Sequence, residues 1–177
     1  MVDIRTEVAN DRGLIKQLEM IIPGFRGYRK REDLRIADRL LREQMAKRLN
    51  DAGSGLEAAR RAMSRRQMLE SLEEIGRLIG LTNQTESRVR HAEQGYTGVS
   101  PDFRIEEAEL NQMYEWDLSL LKWLDEMRNG SERLLAAAES SDMREMGNQL
   151  RQFDAAMKNF GQTWDKRRER IAGLEVQ

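Results

Sequence analysis

The segment MREMGNQLRQFDAAMKNFGQTWDKRRERI, residues 143–171, carries one apolar seam from end to end. Met143, Met146, Leu150, Phe153, Met157, Phe160, Trp164 and Ile171 recur at alternating steps of three and four. That rhythm lays a single stripe along a helix and suits packing against another helix. Only Arg167 breaks the register, and Ser141 or Asp142 supplies the N-cap. The preceding segment shows the same rhythm in Leu110, Met113, Asp117, Leu120, Leu124 and Met127. The two predict an antiparallel pair with facing seams, joined through RNGSERLLAAAESSD (128–142). The first helix is set at about 105–128, with Gly130 as a bend and ESSD (139–142) as the turn; the second is set at about 142–172.

Upstream, a short helix is expected over about 10–22, capped by Asn10 and ended by PGFRGY (23–28), where proline and two glycines cannot continue it. A long helix follows over about 29–50, with Leu34, Ala37, Leu41, Met45 and Leu49 as its stripe. NDAGSG (50–55) has the composition of a turn, and Ser54 would cap the next helix, about 55–94. That helix carries Leu56, Ala59, Met63, Leu69, Leu72, Ile75, Ile79 and Val89. Gly76 and Gly80, four apart on one face, would permit close packing of a neighbour. QGYTGVSPDF (94–103) is a turn with Tyr96 packed beneath it. Leucine (20) far outnumbers valine (5), and only two prolines occur, which favours helix over strand. The expectation is an all-α, single-domain protein over residues 1–177, a bundle of four to five mostly long antiparallel helices with coiled-coil-like packing.

Several chemistries lack their residues. The absence of cysteine removes disulfides, thiol nucleophiles and thiolate metal sites. One histidine, His91, leaves no zinc cluster, and Arg88 stands where a Glu-x-x-His di-iron motif needs its glutamate. GFRGYRK has neither the spacing nor the Ser/Thr of a phosphate loop. Glu73 and Glu74, and likewise Glu106, Glu107 and Glu109, read as solvated faces or as complements of helix N-termini. With no nucleophile–base set, no enzyme and no cofactor is expected. MVDIRTEVANDRG at the N-terminus has no apolar signal core, and no apolar run approaches the ~20 residues of a membrane span, so the expected location is cytoplasmic.

Charge is uneven along the chain. Residues 1–90 are net +5 and residues 91–177 net −6. Between Arg26 and Arg66 the excess is +7; Arg31, Arg35, Arg39 and Arg42 line one helix, and Arg60, Arg61, Arg65 and Arg66 form two pairs farther on. Such a band could meet nucleic acid or anionic lipid, or face the chain's own acidic half. Interleaved Glu32, Asp33, Asp38 and Glu43 favour the internal reading. Asp117 is the other anomaly, a carboxylate on an apolar seam. Unpaired and buried it would cost several kcal/mol, so an arginine partner is required; Arg35, Arg39 and Arg90, each beside an apolar stripe, are the candidates.

Three segments, IPGFRGYRKREDLRIADRLLR, RVRHAEQGYTG and EEAELNQMYEWDLSLL, resemble an uncharacterised family of prokaryotic helical proteins. Its members share a Pro-Gly-x-x-Gly-Tyr entry, a Gly-Tyr-x-Gly turn and a Tyr-x-Phe-Asp-Leu segment, with Trp116 here in place of the phenylalanine. The resemblance covers roughly residues 21–125 and brings no activity, cofactor or substrate. It implies that Arg35, Asp38, Arg39, Tyr96 and Asp117 belong to one packed polar network.

The function expected from these residues is a non-enzymatic interaction or scaffold protein, homo-oligomeric or bound to a protein partner through helical faces, where its ten methionines give adaptable contacts. The alternative is an anion binder acting through residues 26–66. A small-ligand site around Asp117 is the third reading.

Overall fold

The computed structural model describes residues 4–25, 31–92 and 107–173, with side chains over 13–25, 36–92 and 109–171. Among the described residues, five α-helices form an all-α bundle: α1 (Ile4–Ile21), α2 (Arg31–Arg65), α3 (Leu72–Arg90), α4 (Glu107–Ser140) and α5 (Met143–Gly173), with one 3-10 turn at Leu69–Ser71. The expected Tyr96 turn lies outside the described residues. Two compact units are built from these helices. One draws on residues 1–44, 93–120 and 163–177, and the other on 45–92 and 121–162. Each therefore takes stretches of four helices: α1, α2, α4 and α5 in the first, and α2, α3, α4 and α5 in the second.

Most of the stripe read from the sequence is core, but Leu69 is not: it sits in the 3-10 turn between α2 and α3, 71% exposed. Leu41, Met45, Leu49, Leu56, Ala59 and Met63 on α2 are 0% exposed, as are Met113, Leu120, Leu124 and Met127 on α4. Met146 through Ile171 line the buried side of α5. Met143 is the exception at 49% exposed: it is the first residue of α5 and precedes the buried part of the seam. In the second unit, Gly130 of α4 faces Phe153 of α5, and one turn onward Arg133 Nε donates to Gln149 Oε1 at 3.2 Å. Contacts climb one helix as they descend the other, so α4 and α5 are antiparallel. On α2 and α4 they climb together, from Arg48–Asp125 to Gly55–Ser131, so those two stretches run parallel.

Three expected boundaries move. NDAGSG does not turn; α2 runs straight through it. Mid-helix glycine costs about 1 kcal/mol relative to alanine, but Leu49, Ala52, Leu56, Ala59 and Met63 bury an unbroken stripe across the segment, and each buried leucine or methionine is worth more than one glycine penalty. Ser54 is accordingly an exposed mid-helix residue and not a cap. The chain breaks instead at Arg66–Met68, without glycine or proline. Gln67 adopts φ 60°, Met68 N–H bonds Met63 C=O (3.0 Å) and Gln67 N–H bonds Ser64 C=O (3.1 Å). That is the Schellman arrangement, which satisfies the last carbonyls of a helix. The α4–α5 reversal repeats it at ESSD: Ser141 has φ 60°, and Asp142 N–H reaches Ala137 C=O at 2.9 Å. Asp142 is then the N-cap of α5, its Oδ1 accepting from Glu145 N–H at 2.9 Å.

α4 extends well past 128 to Ser140, with Gly130 buried inside it, and α1 begins at Ile4, so Asn10 lies within a helix and not at its start. Gly76 and Gly80 do not mark a close packing. A Cβ on either would meet nothing within 4 Å. The close approach is at Gly55, where an added Cβ would stand 2.8 Å from Ser131 Cβ. Gly55→Ala should therefore lower stability by about 1–3 kcal/mol despite alanine's better helix propensity. Urea unfolding would measure it, and Ser131→Gly in the same chain should restore part of the loss. An additive double mutant would refute the contact.

Candidate functional site

The first unit contains a buried cluster of four ionisable side chains, drawn from three helices. Arg167 on α5 donates from Nε to Asp117 Oδ1 on α4 (2.5 Å) and from Nη1 to Asp38 Oδ1 on α2 (2.7 Å). Arg42, one turn beyond Asp38, donates from Nε to the other oxygen, Oδ2, at 2.8 Å. Side-chain exposure is 0% for Asp117, 1% for Arg167 and 8% for both Asp38 and Arg42. Two carboxylates face two guanidiniums, so these four side chains sum to no formal charge, and the guanidinium of Arg167 also lies 5.9 Å from the centroid of the Trp164 ring. Among the described residues, Asn111 Oδ1 on α4 is the one buried side-chain polar atom with no hydrogen-bond partner.

Asp117 is thus paired and buried, but not with Arg39 or Arg90. Arg39 is exposed and faces Glu43 at 3.8 Å. Arg90, in the other unit, is exposed and donates to Glu86 at 2.6 Å. Each is drawn to a carboxylate four residues away on its own helix, where the geometry favours ion pairs and solvent remains in reach. Arg35 and Tyr96 lie outside the described side chains. Among the described side chains the ion-pair partner is Arg167, the residue that breaks the α5 seam. The missed signal was its complement: one acid on the α4 seam, one base on the α5 seam, on helices expected to face each other. Asp38 belongs to the cluster, as the resemblance implied.

Part of the basic band is engaged within the protein. Arg42 is buried in the cluster and unavailable to an external anion. Arg48 is bonded to Asp125 at 2.6 Å, and Arg60 faces Glu57 at 3.8 Å. Arg61, Arg65 and Arg66 remain exposed towards the end of α2, with no acidic partner within 4 Å among the described residues. The side chain of Arg31 is outside the described residues. His91 is exposed at the end of α3, its backbone N–H on Ser87 C=O (3.0 Å). No three His, Cys, Asp or Glu residues among those described are placed to hold a metal ion. No described helix is long and apolar enough to cross a membrane.

In the second unit Asp154 on α5 accepts from Lys158 Nζ (2.6 Å) and from Arg77 Nη2 on α3 (2.7 Å). The bond from Lys158, followed by that from Arg77, holds its carboxyl below the ordinary value of 3.8 against an opposing effect of burial. Comparison with protein-family models, curated proteins and solved structures finds no match.

Removing one member of the first cluster leaves a buried charge uncompensated. Asp117→Ala and Arg167→Met should each cost about 3–5 kcal/mol in urea unfolding, while Arg39→Ala and Arg90→Ala stay within about 0.5 kcal/mol. A neutral Asp117→Ala would remove the cluster's structural role. Asp154 gives a pH test. Its folded pKa lies below the unfolded one, so its stabilisation is complete above the unfolded value and fades as pH falls through the folded value. Wild type should be more stable than Asp154→Asn at neutral pH, with the gap closing under acid. A gap that does not change with pH would mean the pair contributes nothing through ionisation.

Proposed function

We propose that this chain works by binding and not by chemistry, as a helical interaction or scaffold protein of the cytoplasm that associates with itself or with a protein partner. The observation that supports this best is how the buried charge is used. The ionisable groups most deeply buried among the described residues neutralise one another, and Asp117 is completely shielded from solvent. A catalytic acid must reach the proton it transfers, and Asp117 is enclosed among protein partners. What faces solvent instead is helix surface. α2, α4 and α5 have 35, 34 and 31 residues, so each is about 50 Å long at ~1.5 Å per residue. Faces of that length suit helix-to-helix recognition.

A second reading is supported by Arg61, Arg65 and Arg66, whose exposed guanidiniums would attract phosphates of nucleic acid or anionic lipid. Light scattering after size exclusion, at low and high salt, separates the two. An oligomer stable at both salts is expected from apolar helical contacts. A monomer that carries nucleic acid at low salt and releases it at high salt would overturn the first reading in favour of the second.

A further inference from the structure

The second unit contains a polar cleft of about 350 Å³ on α2 and α3, lined by Asn50, Gly53, Ser54, Glu57, Arg61 and Asn83. Asn50, Ser54, Glu57 and Arg61 follow one another at steps of four, three and four residues, so they share one face of α2. Asn83 joins them from α3. Among the described residues Asn50, Ser54, Arg61 and Asn83 make no side-chain hydrogen bond or ion pair within the protein, and Glu57 has only the loose 3.8 Å approach of Arg60. Arg61 and Glu57, four residues apart, do not pair with each other although that spacing allows it. Gly53 is in the lining for no reason of packing. A Cβ there would sit 3.5 Å from Thr82 and 3.6 Å from Asn83 Oδ1, ordinary contact distances, so alanine would fit and would favour the helix. What glycine leaves is room beside Asn83.

We propose that this cleft binds a small zwitterion of the amino-acid class. The Arg61 guanidinium matches a carboxylate, to which it can donate in parallel. Glu57, an acceptor only, takes the ammonium and repels a bare anion. The carboxamides of Asn50 and Asn83 and the Ser54 hydroxyl offer both donors and acceptors to the rest of the molecule. The site is independent of the interaction reading above, which stands or falls on oligomeric state.

Backbone amide shifts under titration test it, with L-glutamine and inorganic phosphate as probes at about 10 mM, enough to fill a millimolar site. L-glutamine should shift the amides of residues 50–61 and Asn83, and phosphate should not. Arg61→Ala, an exposed substitution, should weaken L-glutamine binding tenfold or more. Gly53→Ala should abolish it while leaving the helical circular dichroism intact and the melting temperature unchanged or higher. Glu57→Gln should admit phosphate. No shift with L-glutamine, a shift that survives both Arg61→Ala and Gly53→Ala, or a wild-type response to phosphate alone would overturn the proposal.

Discussion

The guanidinium of Arg167 holds together three helices that are far apart in sequence. Its contacts to Asp117 and Asp38 span 50 and 129 residues of chain. A buried ion pair does little for net stability compared with well-packed apolar residues, because desolvation of both partners offsets their attraction. Its effect here is on alternatives. Asp117 and Arg167 are the only charges on their respective seams. Sliding α5 along α4 by one heptad would bury each against leucine, methionine or an aromatic ring, at a cost of several kcal/mol per ion. The heptad rhythm alone is indifferent to such a slip, since every seven residues looks much like the next. The charged pair marks one register as correct, and Asp38 extends that choice to α2.

Continuity of the helices is decided by side-chain burial over local propensity. NDAGSG contains the residues of a turn, yet the apolar stripe on either side keeps its phase through it, with Ala52 between Leu49 and Leu56. A phase that survives a weak segment is stronger evidence than the segment's composition, because a helix interior tolerates glycine at about 1 kcal/mol while a shifted stripe would expose several core residues. The true reversal at Gln67 works the other way. It has no breaker residue, and the left-handed conformation there costs about 1–2 kcal/mol. The helix ends because the apolar pattern ends: after Met63 the next buried residue is Ile75.

The fold class, the core of α2, α4 and α5 and the burial of Asp117 were all legible from spacing. They rest on periodicity, which a sequence displays directly. The pairing of Asp117 with Arg167 was not legible by proximity to apolar stripes, and Arg39 and Arg90 are held instead by carboxylates four residues away on their own helices, a competition visible only when each arginine's own helix is considered. Arg42 was misread for the opposite reason. It looked like one of a row of surface cations, but Asp38, four residues before it, is itself drawn inward by Arg167 and takes Arg42 with it. The α2–α3 cleft was invisible because its decisive feature, the missing side chain at Gly53, looked like part of a turn.

These two polar constellations differ in a way that bears on function. Around Arg167 the side chains are buried and paired with one another. Around Gly53 the hydrogen-bonding groups are exposed, and those of Asn50, Ser54, Arg61 and Asn83 have no partner among the described residues. Buried polar groups must be satisfied internally, or the fold itself becomes unfavourable. Exposed groups bear no such constraint, since water can satisfy them, and exposure alone is no sign of a site. The cleft stands apart because Arg61 and Glu57 share a face without pairing, beside a glycine that packing does not demand. Those features cost some helix stability and return none in the folded chain alone, which points to binding there and not at the more conspicuous buried cluster.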